Sequence, residues 1–377
     1  MAARAWMPGA QGEYQRMSER EVILVTGAAG YWGSRVAARL VPGEECQVIG
    51  LDGEQPEQEV KGLDFVLADI RNPLMVELLK DEGVDTVCHL DFVHSTRRSE
   101  SAFDANVMGT TKLLGACKEA GVRRVVLMSS TAIYGARPTN SAFLTEGNPV
   151  RGSRRYGYMR DLVEREKFCN GFCRRVPEMA VTTLRFPSIV GPTADTPMTR
   201  FLRSPWAPSM MGFDPMMQII HENDVVDALL HAVRNGPKGA FNVAAEDPMP
   251  LGKMRGLVGK LPLSVFHPLA GWGIALLGTA RVDLEDYVPI EPDYLRYPWV
   301  GDLTGMREEL GFVPRYTADE TLREFAARLR LGRYRTGSIS LAQDEVQMRE
   351  LIDRRRRSRA RQNPPGANPH EGQQDDE

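Results

Sequence analysis

The sequence predicts a doubly wound α/β fold, and three observations carry that prediction. An apolar run, Val22-Ile23-Leu24, leads into a glycine-rich turn, Val25-Thr26-Gly27-Ala28-Ala29-Gly30-Tyr31-Trp32-Gly33, and then a helical stretch over 34–40. A second apolar run, Gln47-Val48-Ile49-Gly50-Leu51, ends on the acidic residue Asp52, about twenty residues past the glycines. Strand and helix patterns then alternate as far as residue 243. Such alternation means a largely parallel sheet with helices on both faces, the Rossmann type.

Each element has its own reason. Gly27 permits the tight turn, Gly30 allows backbone to approach a pyrophosphate, and Gly33 lets helix and strand pack closely. The helix that follows aims free N–H groups and its positive dipole end at that phosphate. Asp52 suits the ribose 2′-hydroxyl and would repel a 2′-phosphate, so NAD is favoured over NADP. A third strand over 63–68 ends at Asp69-Ile70, placed for the adenine edge. Further strands are expected over 86–90, 124–128, 181–186, 218–221 and 239–243, with helices over 105–120, 156–174 and 223–233. Cofactors bind beyond the carboxyl ends of such strands, where Asp52, Asp69, His89, Ser129 and Ser130 all fall.

Residues 187–217 and 247–335 are rich in proline, methionine and aromatics and break the alternation. They read as a smaller, interleaved substrate lobe set against a nucleotide domain of 20–186, completed by 218–246. Residues 1–19 hold no apolar core of the signal-peptide kind and are expected to be a disordered extension. Residues 336–377 read as a basic helix, with arginines from 354 to 361, running into a disordered tail.

Composition narrows the function. With 377 residues, 42% of them hydrophobic, the chain can bury a large core. Its formal charge of -3 gives no general attraction to nucleic acid or an anionic membrane. Arginine outnumbers lysine 39 to 8. Five cysteines and six histidines form no metal-ligand spacing, so no metal is expected, and a reduced, cytoplasmic protein is the default. An uncharged stretch over 261–280 has the length of a membrane span but is broken by Pro262, Pro268 and glycines. It reads as buried or substrate-lining, with contact at a membrane surface the weaker alternative.

The chemistry gathers at two places. The strand over 124–128 runs into Ser129-Ser130-Thr131-Ala132-Ile133-Tyr134-Gly135, and Tyr156-Gly157-Tyr158-Met159-Arg160 opens a helix with Tyr156 and Arg160 on one face. Here the chain resembles the extended short-chain dehydrogenase/reductase superfamily, in its branch of NAD-dependent sugar-nucleotide epimerases and dehydratases. The likeness runs from about residue 21 to about residue 330. It includes His89-Leu90, Asn106-Val107-Met108-Gly109-Thr110, Leu184-Arg185-Phe186 and Gln218-Ile219-Ile220-His221.

The resemblance implies that NAD is held by Gly27, Gly30, Tyr31, Trp32, Gly33, Asp52, Asp69, Ile70, Leu90, Asn106, Ser129 and Phe186. It implies that Ser130, with Thr131 the nearby alternative, orients a hydroxyl or carbonyl while Tyr156 moves the proton. A phenol titrates near pH 10, so a base at neutral pH needs a fixed cation beside it. The family's lysine for that purpose is Arg160 here, which reads as a working substitute, an altered chemistry or a degenerate site that only binds NAD. Asp91 stands where the family has a small apolar residue. Thr131, Arg200 and His221 are the expected substrate contacts, Arg200 for a diphosphate. The resemblance also implies a nucleotide-sugar substrate and a homodimer through the helices over 105–120 and 156–174.

Overall fold

The computed structural model describes residues 20–43, 46–95, 97–152, 156–204, 206–265 and 291–336, with Met348, Arg349, Ile352 and Arg355. The expected extension over 1–19, most of the apolar stretch over 261–280 and most of the basic tail lie outside the described residues. The chain divides into two compact units, Met1–Ala326 and Ala327–Glu377. The first holds all the sheets.

The chain begins with β1 (Glu21–Thr26), α1 (Tyr31–Leu40), β2 (Cys46–Asp52), β3 (Asp64–Leu67), α2 (Met75–Asp81) and β4 (Thr86–His89). Next, α3 (Glu100–Phe103) passes through a π-helical turn, Asp104–Gly109, into α4 (Thr110–Ala120). Then follow β5 (Arg124–Ser130), α5 (Gly157–Arg175), β6 (Ala180–Phe186), β7 (Ser188–Val190), α6 (Pro197–Arg203), β8 (Trp206–Met210), β9 (Met216–Met217) and β10 (Ile219–His221). The last are α7 (Glu222–Asn235), β11 (Gly239–Asn242), β12 (Met249–Pro250), α8 (Leu251–Val258), β13 (Leu261–Val265) and α9 (Ala318–Thr336).

Seven strands form one sheet in the order β11-β6-β5-β4-β1-β2-β3, every pair parallel. The period of two along each strand builds the two cores. Ile23 and Val25 of β1, Cys88 of β4 and Val126 of β5 pack with Val36, Leu229 and Val233 on one face. Leu24, Val87 and Val125 pack with Leu113, Cys117 and Phe172 on the other. Three two-stranded sheets stand apart from the main one, β10-β7, β12-β9 and β13-β8. The expected strand over 218–221 is thus β10, paired with β7 and outside the seven. Because strand order steps outward from β1 in both directions, the carboxyl ends of β1 and β4 flank the switch point where ligands bind.

Candidate active site

The glycine turn is built from bare backbone. Gly27 has φ +71°, and a Cβ there would stand 2.7 Å from the Asp91 backbone nitrogen. A Cβ on Gly33 would stand 1.9 Å from the Gly27 carbonyl oxygen. The Gly30 N–H closes the turn by donating to Gly27 O at 3.1 Å. α1 starts directly after, with no side-chain cap and no acidic residue in its first turn, which leaves its first N–H groups for an anion. The pyrophosphate of a dinucleotide fits this cradle.

Asp52 closes the adjoining side. Its carboxylate accepts from Ala29 N at 3.0 Å and Glu54 N at 3.1 Å, which fixes it beside the turn. Asp69 is already engaged by Arg71, whose Nε donates to it at 2.9 Å and which also reaches Asp104. That hydrogen bond from Arg71 is the largest influence holding the Asp69 carboxyl below its ordinary range. Ile70 is buried against Gly109, where a Cβ would meet Ile70 Cδ1 at 2.9 Å. Trp32 packs on the core and meets Tyr31 edge-on, their rings 4.7 Å apart. The Tyr31 hydroxyl donates to Glu222 at 2.8 Å and lies 2.8 Å from Thr193 Oγ1, tying α1 to the segment after β7. Burial is the largest cause pushing that phenol up to about 12.

With Asp52 on β2 and the phosphate cradle after β1, the ends of β4 and β5 would hold the other half of a bound dinucleotide. Leu90 there packs on the core. His89 is buried between Thr26 Oγ1 at 2.7 Å and Thr110 Oγ1 at 2.8 Å, so it is a strut of the sheet. Asn106 brackets Val93, accepting from its N–H at 2.7 Å and donating to its carbonyl at 2.9 Å. At the end of β5, Ser130 Oγ accepts from Ala132 N at 3.2 Å. Ser129 Oγ and Thr131 Oγ1 are buried and have no hydrogen-bond partner among the described residues. Buried hydroxyls are normally satisfied, and these two flank Ser130 at the end of β5. Phe186 lies opposite Ser130 in the β5–β6 register, with its ring in the core.

Tyr156 caps α5 and its ring stacks on Tyr158, 6.3 Å between centroids. Burial is the largest influence raising the Tyr158 phenol. Met159, Leu162 and Val163 of α5 pack on Ile133 and Ala132 just after Ser130 and Thr131, which brings the serine and tyrosine elements together. Arg160 has partners of its own. Its Nε donates to Asp161 Oδ1 at 2.8 Å, its Nη2 donates to Ser99 O at 3.2 Å, and its guanidinium lies 4.9 Å from the centre of the Phe103 ring.

Arg200 and His221 each make contacts of their own. Arg200 is bonded to Asp195 at 2.7 and 2.9 Å. His221 is fully buried, stacked on Tyr316 at 3.9 Å, with Nε2 3.2 Å from Glu324. Among the described residues no group of three or more metal-ligating side chains is found, and no helix is long and apolar enough to cross a membrane.

Two features escape a reading of the sequence. Tyr134, Arg185, Glu166 and Asn242 form a buried network: Arg185 pairs with Glu166 at 2.7 Å and donates to Tyr134 Oη at 2.8 Å, which donates to Asn242 at 2.7 Å. The second is Arg165, buried beneath β5, whose Nη2 donates to Met128 O at 2.5 Å. A signal for it existed: a charge in the otherwise apolar α5 stripe of Leu162, Cys169 and Phe172.

Comparison with known proteins follows the same lines. A sequence model of the NAD-dependent epimerase/dehydratase family matches residues 23–244. The chain belongs to that family. An uncharacterized protein of Mycobacterium tuberculosis is 33% identical over 317 residues, covering 81% of this chain and 83% of that protein. A UDP-glucose 4-epimerase of Lactobacillus helveticus is 29% identical over 182 residues, 46% of this chain and 53% of that protein. Among solved structures, UDP-glucose 4-epimerase of Thermotoga maritima with UDP-glucose superposes with a TM-score of 0.64 at 20% identity, over 82% of this chain and 99% of that one. The dTDP-glucose 4,6-dehydratase of Streptomyces venezuelae, crystallised with NAD, gives 0.62 at 21% identity over 83% and 98%. The epimerase/dehydratase family is NAD-dependent, and the glycine cradle with Asp52 fits that cofactor.

Proposed function

We propose that this family member is an NAD-dependent oxidoreductase of the epimerase/dehydratase type acting on a secondary hydroxyl or ketone of a nucleotide-linked sugar. The observation that carries the reading is the shared edge of the sheet: a pyrophosphate cradle and Asp52 at one end, two orphaned hydroxyls beside Ser130 at the other. NAD, when bound, supplies reversible hydride transfer. Ser130 orients the reacting oxygen and Tyr156, at the start of α5, moves its proton. Thr131 lies beside Ser130 as a substrate contact, and Arg200 reaches a sugar-nucleotide phosphate only by leaving Asp195. The sugar-nucleotide part draws on relatives that bind UDP-glucose or are dTDP-glucose dehydratases. A cytoplasmic homodimer through α4 and α5 belongs to the same reading, and sedimentation equilibrium tests it.

A second reading, an NAD-binding protein without turnover, is favoured by one observation: Arg160 is held by Asp161 and Ser99. The nucleotide released from purified protein separates the two. Mixed NAD and NADH in wild type supports hydride transfer in this site. NAD alone in wild type, with NADH appearing only in Arg160→Lys, puts the second reading first.

A further inference from the structure

A second cleft opens away from the cofactor edge. It has a volume of about 380 Å³ and is lined by Arg39 of α1, Asp227, His231 and Arg234 of α7, and Phe312 and Arg315. That volume falls in the range of small-molecule sites. α1 starts at the glycine cradle, and its ten residues make it about 15 Å long. α7 starts beside it, where the Tyr31 hydroxyl donates to Glu222 and Arg35 donates to Asn223 at 2.6 Å. Both helices end at the cleft, which puts it at the opposite end of the sheet from the dinucleotide edge.

The charges in this cleft do not cancel. Asp227, whose side chain is 12% exposed, is the single carboxylate among the lining residues. It serves two guanidiniums: its Oδ1 accepts from Arg39 Nη2 at 2.9 Å, and its Oδ2 lies 3.4 Å from Arg315 Nε. The Arg234 side chain has no partner among the described residues. An arginine in a last helical turn ordinarily answers the free carbonyls there. In α7 the carbonyls of Val233 and Arg234 already accept from Arg124 Nη1. Three arginines against one carboxylate leave two positive charges over. Apolar surface lies beside them: Leu230 and Phe312 belong to the lining, and the His231 ring lies 5.8 Å from that of Phe312, with Nε2 engaged by the Leu310 carbonyl.

We propose that this cleft binds a phosphorylated small molecule at a site separate from the dinucleotide edge. Guanidiniums meet phosphate oxygens through paired N–H bonds, and they shed less hydration in doing so than an ammonium. Asp227 fixes Arg39 and Arg315 as positioned donors, and Arg234 adds a charge that nothing in the lining offsets. Leu230, Phe312 and Val313 supply contact for the organic part; Val313 is 70% exposed, apolar surface that such a ligand covers. The site stands independently of the proposed oxidoreductase activity.

The test is isothermal titration of the full chain with inorganic phosphate and with phenyl phosphate, at about 0.15 M salt, where loose attraction to exposed charge is screened. NAD is present at saturation so that the glycine cradle is occupied. Phenyl phosphate should bind several-fold tighter than inorganic phosphate, because the ring adds apolar contact. Arg234→Gln and Arg315→Gln should each weaken it about tenfold, the scale of a charge-assisted hydrogen bond. Both arginines are exposed, so the variants keep the fold. Wild type that binds neither probe, or an affinity for phenyl phosphate unchanged in either variant, overturns the proposal. Equal affinity for the two probes reduces the cleft to an adventitious anion site and overturns it as well. Failure of wild type to bind NAD overturns the dinucleotide reading alone, since the two arginine variants still locate the phosphate.

Discussion

Arg160 pairs with its own neighbour, Asp161: Nη2 stands 2.7 Å from Oδ1, and the Asp161 side chain is fully buried while Arg160 is 23% exposed. Asp161 also accepts from Asn106 Nδ2 at 3.2 Å, so the pair is tied to the strut that holds Val93. The cation expected beside the tyrosine also neutralises a buried carboxylate. Arg160→Met should therefore destabilise the fold by about 3 kcal/mol, because it strands that charge. Arg160→Met/Asp161→Leu should cost less than the sum of the single changes. Urea unfolding of the four proteins gives the cycle, and strict additivity would refute the coupling.

The glycine cradle makes a sharper demand. With a Cβ on Gly33 only 1.9 Å from the Gly27 carbonyl oxygen, Gly33→Ala must push α1 off the turn. It should lose about 3 kcal/mol of stability and weaken NAD binding at least about tenfold. Gly53, which has nothing within 4 Å of a Cβ, is the control. Gly53→Ala should change stability by less than about 0.5 kcal/mol.

What the sequence disclosed is local backbone geometry, and what it hid is which side chains pair. The glycine turn, Asp52 and the serine strand end are local, since a few consecutive residues carry both the geometry and its purpose. The fold followed because period-two runs and helical stripes are local as well. His221, expected at the substrate, is buried among partners such as Tyr316 and Glu324, about a hundred residues away. Phe186 matches a cofactor motif, yet its ring belongs to the core. Arg71, two residues past Asp69, occupies the carboxylate read as an adenine contact. Arg160 matches its motif position, and the adjacent Asp161 pairs with it. In each case the contacts that hold the side chain are ones no spacing rule supplies.

The Arg185–Glu166 pair carries a prediction of the same kind at the far end of the sheet. Both side chains are nearly inaccessible, 2% and 4% exposed, and Arg185 also donates to Tyr134 and to the Glu146 carbonyl. Glu166→Gln leaves a buried guanidinium without its counter-charge and should cost about 3–5 kcal/mol. Tyr134→Phe removes one hydroxyl from a network with other bonds intact and should cost about 1–2 kcal/mol. Chemical denaturation measures both. Equal costs would mean that the charge pair contributes no more than a neutral hydrogen bond.

His89 links the sheet to pH. The Thr110 hydroxyl donates to the Asn106 carbonyl at 2.7 Å, so it receives the hydrogen bond from His89 Nε2–H. Nδ1 then accepts from Thr26, and the ring is neutral with both nitrogens used. Burial, reinforced by Arg165, pushes the His89 pKa down to about 3. An unfolded chain takes up this proton near pH 6.5, so between those two values it binds a proton that the folded chain does not. The contribution is fully present above about pH 6.5 and is lost as pH falls toward 3, by about 1.4 kcal/mol per pH unit. Carboxylates titrate in the same range, but His89→Gln leaves them unchanged. Wild type should therefore lose stability more steeply than His89→Gln from pH 6 to pH 4, by about 1 kcal/mol per unit, in urea titrations at each pH. Parallel curves would mean that the imidazole takes up its proton within the folded sheet.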